Sequence, residues 1–402
     1  MPGIAATPSS VVRVAGVVGA LAIAQSILGG TAFQALPALL RAHDAAPETL
    51  ALTSLVMWPW AAKFAWAPLV ERWRRPGDGR RRDRAIMLSG QALVVAAIVA
   101  IAVIGPGSAG LLVAILVLAA TACATADIAV DAYAVEQTLT GRRGIATAAQ
   151  VGGSYAGFVA GGGLLIVLVG IVGWTGGFLL LAALLAALGG AARLVRRPAS
   201  RAVALARPSL AIAWRNPAVR QGIAFTLVVQ AGGRLAQALM PAMLVDAGVG
   251  LPGIGSLLAA GAVAGGVAAV TGGCAVVRFG SAPVMRLALL LQAISIGVIA
   301  SAALWGDTEL RIAVIVQSVA TALGAVGLYA DLMGRAVGDQ PGVDFTLFQC
   351  ADAAGAALLG GAALMLASRI GFDATCAVAA AAPLLAMLAI APLSHAHLGV
   401  PA

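Results

Sequence analysis

About twelve apolar runs, each of about twenty residues, follow one another along this 402-residue chain with only short polar breaks. A helix rises about 1.5 Å per residue and a bilayer core is about 30 Å thick, so each run can cross a membrane once. With 61% hydrophobic and 10% charged residues, the composition leaves no room for an extramembrane catalytic domain. We therefore predict an all-α integral membrane protein of about twelve transmembrane helices. The runs begin near Val11, Leu50, Ala85, Leu111, Gly144, Thr175, Val219, Gly253, Val284, Arg311, Val343 and Phe372.

Two similar halves are predicted within the chain. The stretch 196–217 is rich in arginine and falls midway, as a cytoplasmic linker between six-helix bundles at 1–195 and 218–402 would. Short motifs also recur about 200 residues apart, in the same order in both halves. Thr147-x-x-Gln150 reappears as Thr346-x-x-Gln349, for example. Such echoes are typical of transporter folds built from parallel repeats, and they predict two pseudo-symmetric bundles.

The net charge of +9 indicates orientation rather than nucleic-acid binding. Arginines crowd into the loops at 72–84, 141–144 and 193–220, whereas the loops between them carry few. Because positive charge marks cytoplasmic loops, these three are predicted to lie inside, with both termini. The first apolar run continues too far for a signal peptide, so we interpret it as an uncleaved first span of a bacterial inner-membrane protein.

Metal and cofactor chemistry is not indicated. The four cysteines lie far apart inside apolar runs, without the paired spacing of a zinc site or a disulfide framework. His395 and His397 could bind a metal, but a terminal dipeptide of this kind more often has no ligand. We expect no metal, no cofactor and no nucleic-acid partner. No nucleophile motif or His/Asp/Glu cluster favours an enzyme.

Ionisable residues inside a span cost roughly 2.5 to 3.5 kcal/mol on insertion scales, so they are expected to face a partner or a cavity. Lys63, the only lysine of the chain, and Asp127 lie at similar distances from the inner ends of spans two and four, so they could neutralise each other. Asp131 follows Asp127 by one helical turn. Two such carboxylates should titrate as a pair, as a proton carrier requires. Alternatively, Asp131 and Glu136 pair with arginines at the cytoplasmic rim.

A second polar stripe is predicted in span seven. Arg234 lies between Gln230 and Gln237 at helical spacings of four and three, which places all three on one face. A guanidinium flanked by amides suits an anionic ligand. Asp352, inside span eleven, is a further candidate for proton coupling. The alternative is a structural Arg234–Asp352 bridge, which could also open during transport.

Small and aromatic residues complete the candidates. A glycine-dense run in span five spaces small residues by about four, which allows close helix packing. It comprises Gly152, Gly153, Gly157, Gly161, Gly162 and Gly163. Trp58 and Tyr155 could stack a flat substrate, although tryptophans near span ends are more often lipid-interface or packing residues.

The loop after span two resembles the cytoplasmic signature loop of the major facilitator superfamily. It contains Pro68-Leu-Val-Glu71-Arg72 followed by Gly79-Arg80-Arg81-Arg82. The resemblance implies the major facilitator fold, and a gating role for Glu71, Arg72, Arg80 and Arg81.

Four longer motifs resemble one branch of that superfamily, which holds AmpG-type muropeptide permeases, acetyl-CoA transporters and the siderophore importers RhtX and FptX. They are Lys63-Phe-Ala-Trp66-Ala-Pro68-Leu, Asp127-Ile-Ala-Val-Asp131-Ala, Gln150-Val-Gly-Gly-Ser-Tyr155 and Asp344-Phe-Thr-Leu. The last two point towards the siderophore importers. The resemblance implies a monomeric, proton-coupled importer of a pyochelin-like iron-siderophore, working in the lipid bilayer by alternating access. Muropeptide import, or a non-transporting membrane factor on the same fold, are the alternatives.

Roles follow for the polar residues under this hypothesis. Lys63 and Arg234 would meet negative charge on the substrate, and Asp127 would take up the proton. Hydrogen bonds to the substrate would come from Gln25, Gln150, Gln349 and Tyr155.

Overall fold

The computed structural model describes residues 8–42, 52–76, 81–138, 140–195, 207–246, 248–249, 251–301 and 307–395. Helix is the dominant structure among them, and we number the membrane helices α1 to α12. In the first half, α1 comprises Pro8–Gly30, Thr31–Ala35 and Leu36–Arg41, α2 comprises Leu52–Met57, Trp58–Ala62, Lys63–Ala65 and Ala67–Arg74, α3 is Asp83–Ile104 and α4 is Ala109–Gln137. Helix α5 begins as Arg143–Val159 and continues through Ala160–Leu164 into Leu165–Gly189, whose later part is α6. The remaining helices are α7 (Pro217–Asp246), α8 (Leu251–Phe279), α9 (Ser281–Ala300), α10 (Asp307–Arg335), α11 (Pro341–Ile370) and α12 (Phe372–His395).

The helices are long and apolar enough for a multi-pass membrane protein. Nine stretches of the described residues satisfy both criteria. One of them, Arg143–Leu194, is 52 residues long, more than two bilayer crossings need. Its backbone leaves the helical region at Gly173 (φ 75°, ψ 172°), which separates α5 from α6. The shorter apolar helix Ala374–Leu388 within α12 and the broken helix α2 supply the other two crossings, so the predicted all-α fold of about twelve helices is confirmed.

Helix α2 is the exception to regular geometry. Its sequence was predicted as one continuous span, but the structure divides it into short α-helical and 3₁₀ segments. Pro59 and Pro68 each lie at the first turn of an α-helical segment. A proline lacks the N–H group and clashes with the carbonyl four residues earlier, so each one interrupts the preceding helix. The second interruption places Lys63–Ala65 in a 3₁₀ turn in mid-helix.

The described chain forms two compact units that interleave along the sequence. The first contains Met1–Leu139, Gly153–Ala213 and Val337–Thr346, and the second contains Thr140–Gly152, Trp214–Ala336 and Leu347–Ala402. The start of α5 therefore packs with the second unit, and the start of α11 packs with the first. The division into bundles at 1–195 and 218–402 with a linker at 196–217 stays a prediction.

In the first unit, α3 packs on α4 and α6, and α1 packs on α4 and α5. The α1–α5 contact is close enough to exclude side chains. A Cβ atom at Gly157 would lie 2.8 Å from Ser26 Cβ, and one at Gly153 would lie 2.8 Å from the carbonyl oxygen of Gly19. Close packing predicted from the glycine run is therefore what the structure shows. Both helices contain a π-helical turn at this contact, and Thr31 Oγ donates a hydrogen bond to the carbonyl of Gly161 at 3.2 Å.

In the second unit, α10 packs on α8 and α9, and α12 packs on α7 and α9. Apolar residues of these helices form its core. Gly144 and Gly273 bring the start of α5 and helix α8 into backbone contact. Small residues outside the predicted glycine run therefore allow close helix packing in this unit.

Candidate functional site

The first unit buries a cluster of one ammonium and two carboxylates. Lys63 Nζ forms an ion pair with Asp127 Oδ2 and lies 3.8 Å from Asp131 Oδ2. The side chains are almost inaccessible, with exposed fractions of 2% for Lys63, 5% for Asp127 and 0% for Asp131. The structure thus brings together Lys63 and Asp127, which the sequence placed at similar depth, and Asp131, one helical turn from Asp127. The ion pair that the sequence suggested between Lys63 and Asp127 is present in the structure.

Local geometry explains this meeting. Asp127 and Asp131 are four residues apart on α4, so both carboxylates project from one helical face. Lys63 begins the 3₁₀ turn in α2 that the Pro68 interruption produces. Because the ammonium is buried beside carboxylates, its charge is offset locally, as a charge inside a membrane helix requires.

Near the predicted cytoplasmic end of the same unit, a network centres on Arg74. Its guanidinium donates to Glu71 through Nε at 3.1 Å, to Asp83 at 3.0 Å and to Glu136 at 2.7 Å. Arg74 and Glu71 are fully buried. Arg75 also pairs with Glu136, so the pairing predicted for Glu136 with rim arginines is what the structure shows.

The segment before α11 docks beside this network. Arg75 Nη1 donates to the carbonyl of Asp339 at 2.9 Å. Gly342 packs directly against the first unit. A Cβ atom at this position would collide with the Glu71 carboxylate and would lie 3.2 Å from the carbonyl oxygen of Ile128. Between Asp339 and Gly342, the Gln340 amide bridges to the backbone of Ser209, accepting from its N–H at 2.9 Å and donating to its carbonyl at 3.2 Å. Residues 337–346 are therefore held by side chains and backbone of the first unit.

The second unit carries a separate ion pair around Arg234. Arg234 Nη2 lies 2.8 Å from both carboxylate oxygens of Asp352, and Nε donates to Oδ1 at 3.2 Å. Asp352 also accepts from Gln230 at 3.2 Å and from the Tyr329 hydroxyl at 3.3 Å. Arg234 Nη1 donates to Gln237 at 3.2 Å, so the predicted stripe on α7 exists.

This second site is partly open. The Arg234 side chain is 25% exposed and that of Asp352 is 9% exposed. The bridge between α7 and α11, one of the two interpretations of these residues, is present in the structure. The Arg234 side chain nevertheless stays partly exposed, and its neighbour Gln237 is exposed as well.

The other predicted site residues are distributed over both units. Trp58 is 66% exposed on α2, and Arg72 is exposed, donating to the carbonyl of Pro208 at 3.3 Å. Arg81 lies 3.4 Å from Glu136. Gln150 is buried in the second unit; Gln25 and Tyr155 in the first unit, and Gln349 in the second, are half-buried. Arg80 lies outside the described residues.

Three important residues were missed from the sequence. Arg74 was overlooked among its neighbours, although its spacing of three from Glu71 is a helical ion-pair signal. Arg335 is fully buried, pairs with Asp331 at 2.6 Å and lies over the Phe225 ring at 5.2 Å. The Gln340 bridge to Ser209 had no local signal, because its partners are 131 residues apart. Within the described part of the chain, no group of three or more His, Cys, Asp or Glu residues could hold a metal ion.

The sequence is similar to a known transporter over part of its length. No protein-family model matches the chain. Over 140 residues the chain is 35% identical to the anhydromuropeptide permease of Escherichia coli K12, a match that covers 34% of this chain and 28% of the permease. The chain thus spans less than a third of the length of this relative.

Solved structures resemble nearly the whole chain. The fucose:proton symporter FucP of E. coli, a major facilitator superfamily transporter, superposes with a TM-score of 0.70 over 97% of this chain and 98% of its own, at 13% identity. The chain has the major facilitator fold. A bacterial homologue of the iron transporter ferroportin (TM-score 0.65, 17% identity, 96% of this chain and 99% of that one) and the human organic anion transporter MFSD10 (0.66, 18%, 96% and 100%) share this fold. Identities this low establish the architecture alone.

Proposed function

We propose that this chain is a proton-coupled importer of a carboxylate-bearing solute in a bacterial inner membrane, working by alternating access. The major facilitator fold and the run of apolar helices support a membrane transporter. The observation that carries the proposal is the buried cluster of Lys63, Asp127 and Asp131.

The cluster supports proton coupling by its charge count. One ammonium and two carboxylates sum formally to −1 in a buried position. Binding of one proton would bring the net charge of the three groups to zero. Loss of the Lys63 ammonium, or binding of a further anion, would make the net charge more negative. Movement of that proton down a membrane potential supplies about 2.3 kcal/mol per 100 mV. Asp127 is the proposed carrier, and Asp131 is the second carboxylate of the cluster.

Arg234 supports an anionic solute. Its guanidinium already holds one carboxylate, that of Asp352, in the forked geometry that a solute carboxylate would also adopt. Gln230 and Tyr329 hold Asp352 in place, and Gln237 flanks the outer edge of the guanidinium. A solute carboxylate would therefore compete with Asp352 for the same donors, and protonation of Asp352 would favour the solute.

A ferric siderophore is the first candidate solute. The motifs at Gln150 to Tyr155 and at Asp344 support it by their resemblance to siderophore importers. In this proposal Lys63 supplies a second positive charge. Hydrogen bonds or stacking come from Gln25, Gln150, Tyr155, Gln349 and Trp58.

A muropeptide is the second candidate, favoured by the 35% identity to the anhydromuropeptide permease. Peptide carboxylates on such a solute would suit Arg234 equally well. Its sugars would demand additional hydrogen bonds, which the amide side chains offer.

The Arg74 network and the neighbouring loop residues Glu71, Arg72, Arg80 and Arg81 are proposed to gate the cytoplasmic side. The docked segment at 337–346 supports this role, because the contacts of Asp339 with Arg75 and of Gly342 with Glu71 must break before the segment can move.

Uptake into proteoliposomes tests the coupling. With purified protein, an imposed pH gradient should drive accumulation of the labelled solute in wild type. Asp127→Asn should bind the solute yet fail to accumulate it, because a neutral amide cannot carry the proton. Glu309→Gln, which changes an exposed carboxylate in the same way, is the matched control. Accumulation by Asp127→Asn at the wild-type level would reject Asp127 as the carrier.

A deletion strain tests the substrate. Growth on single ferric siderophores as iron sources is measured beside uptake of a radiolabelled anhydromuropeptide. Loss of growth on one siderophore, restored by the gene, supports the first candidate. Loss of muropeptide uptake alone supports the second, and loss of neither rejects both.

A further inference from the structure

We propose that Trp66 is a positioning residue that holds Lys63 against Asp127, and that Thr125 is its anchor on α4. Trp66 Nε1 donates a hydrogen bond to Thr125 Oγ at 3.1 Å. The inference rests on the proposed function in so far as the Lys63–Asp127 pair couples transport to protons.

The broken backbone of α2 makes this anchor possible. Ala62 (φ −94°, ψ −5°) and Trp66 (φ −110°, ψ 0°) flank the 3₁₀ turn, and Trp66 N–H bonds to the Lys63 carbonyl at 3.3 Å. In a 3₁₀ turn, side chains three residues apart eclipse one another. Lys63 and Trp66 therefore leave α2 on the same side, and both contact α4.

Thr125 is prepared as an acceptor. The Thr125 hydroxyl donates its hydrogen to the carbonyl of Thr121 at 2.7 Å. Its oxygen lone pairs are therefore free to accept from the Trp66 indole N–H. The tie between Trp66 and Thr125 thus fixes one end of the turn whose other end is Lys63. This side-chain contact therefore acts together with the ion pair to hold the ammonium beside Asp127.

Lys63 also offers a direct readout. It is the only lysine of the chain, so an amine-reactive ester can modify it and the N-terminus alone, and peptide mass spectrometry separates the two. At 2% exposure Lys63 should react slowly in wild type, at a rate set by local opening.

The experiment measures the rate of Lys63 acylation by a small N-hydroxysuccinimide ester in purified full-length protein. Thr125→Val and Trp66→Phe should each raise the rate roughly 2- to 10-fold, the range for loss of one net hydrogen bond. The double variant should react no faster than either single one, because both remove the same contact. Thr125→Ser, which retains the hydroxyl, should restore the wild-type rate.

Thr121→Val is the matched control. It removes a hydroxyl one turn away, which donates to the carbonyl of Val117 at 2.8 Å, but it keeps the carbonyl that Thr125 uses. Its acylation rate should equal that of wild type. Unchanged rates in both Thr125→Val and Trp66→Phe, or equal increases in Thr125→Val and Thr121→Val, would overturn the inference.

Uptake separates this inference from the proposed function. Faster acylation together with weaker pH-driven accumulation supports both. Faster acylation with normal accumulation supports positioning by Trp66 and contradicts the coupling role of the Lys63–Asp127 pair.

Discussion

Replacing Gly157 by alanine should separate α1 from α5 and destabilise the first unit. The new Cβ atom would lie 2.8 Å from Ser26 Cβ and 3.0 Å from the carbonyl carbon of Ile23. Carbon atoms in contact lie about 3.5 to 4.0 Å apart, so the helices must move apart by roughly 0.5 to 1 Å. The third neighbour is the carbonyl oxygen of Ile23, so two of the three are backbone atoms and no rotamer change can relieve the contact.

The magnitude follows from lost dispersion energy. A gap of that size forfeits about a quarter to a half of the roughly 0.1 to 0.2 kcal/mol held by each atom pair. Over an interface of about 40 such pairs the loss is roughly 1 to 4 kcal/mol, similar to measured costs of overpacking. Helices in lipid gain little from a hydrophobic force between them, so this loss is not offset.

Unfolding by SDS titration, followed by tryptophan fluorescence, measures the change in free energy. Gly163→Ala is the matched control, because a Cβ atom there meets nothing within 4 Å. Its stability should be unchanged or slightly raised, since alanine favours helix over glycine.

A rescue experiment sharpens the test. At Gly162 the new atom would meet the Gln34 side chain, with Cδ at 2.9 Å and Cβ at 3.2 Å, so Gln34→Ala should restore most of the stability lost in Gly162→Ala. At Gly161 the neighbours are backbone atoms of Ile27 at 2.6 and 2.8 Å, and no side-chain truncation can help. Equal stability of Gly157→Ala and Gly163→Ala would refute the packing argument.

Three further predictions concern the charged residues. Arg234→Gln should weaken binding of a carboxylate solute roughly 10- to 150-fold, because one charge-assisted hydrogen bond contributes about 1.5 to 3 kcal/mol. In a calorimetric titration, binding of the amidated analogue should be unaffected. Equal losses for both solutes would make the Arg234–Asp352 pair purely structural. Arg74→Lys should destabilise the protein to heat by about 1 to 3 kcal/mol, because an ammonium cannot reproduce the fork shared by three carboxylates, and an unchanged melting profile would contradict this. Gly77→Cys should resist an impermeant thiol reagent in intact cells while Ala45→Cys reacts, and the reverse result would invert the predicted topology.

Much of the fold could be predicted because lipid imposes a local rule. Each crossing needs about twenty apolar residues, so hydropathy located every helix start to within a few residues. Depth along a helix is also a local quantity, and it places Lys63 and Asp127 at a similar level, in agreement with their ion pair. The glycine run predicted close packing for the same reason, since residue size is written in the sequence.

Partners across the chain could not be predicted in this way. Which carboxylates surround Arg74 depends on three helices that meet at one point, and the local sequence distinguishes Arg74 from Arg72 only by its position around the helix. Asp352 was a candidate proton carrier and a candidate bridge until the α7–α11 contact showed it held by Arg234, Gln230 and Tyr329.

By itself, then, the sequence determined the solvent, the number of the helices and their approximate starts, and the similar depth of Lys63 and Asp127, because these follow from residue-by-residue transfer energies. Only the tertiary structure decided that Trp66 of the broken helix α2 bonds to Thr125 of α4, and that the start of α11 packs within the first unit. These contacts depend on packing between segments that lie far apart in the chain, and the packing energy cannot be read from a local sequence pattern.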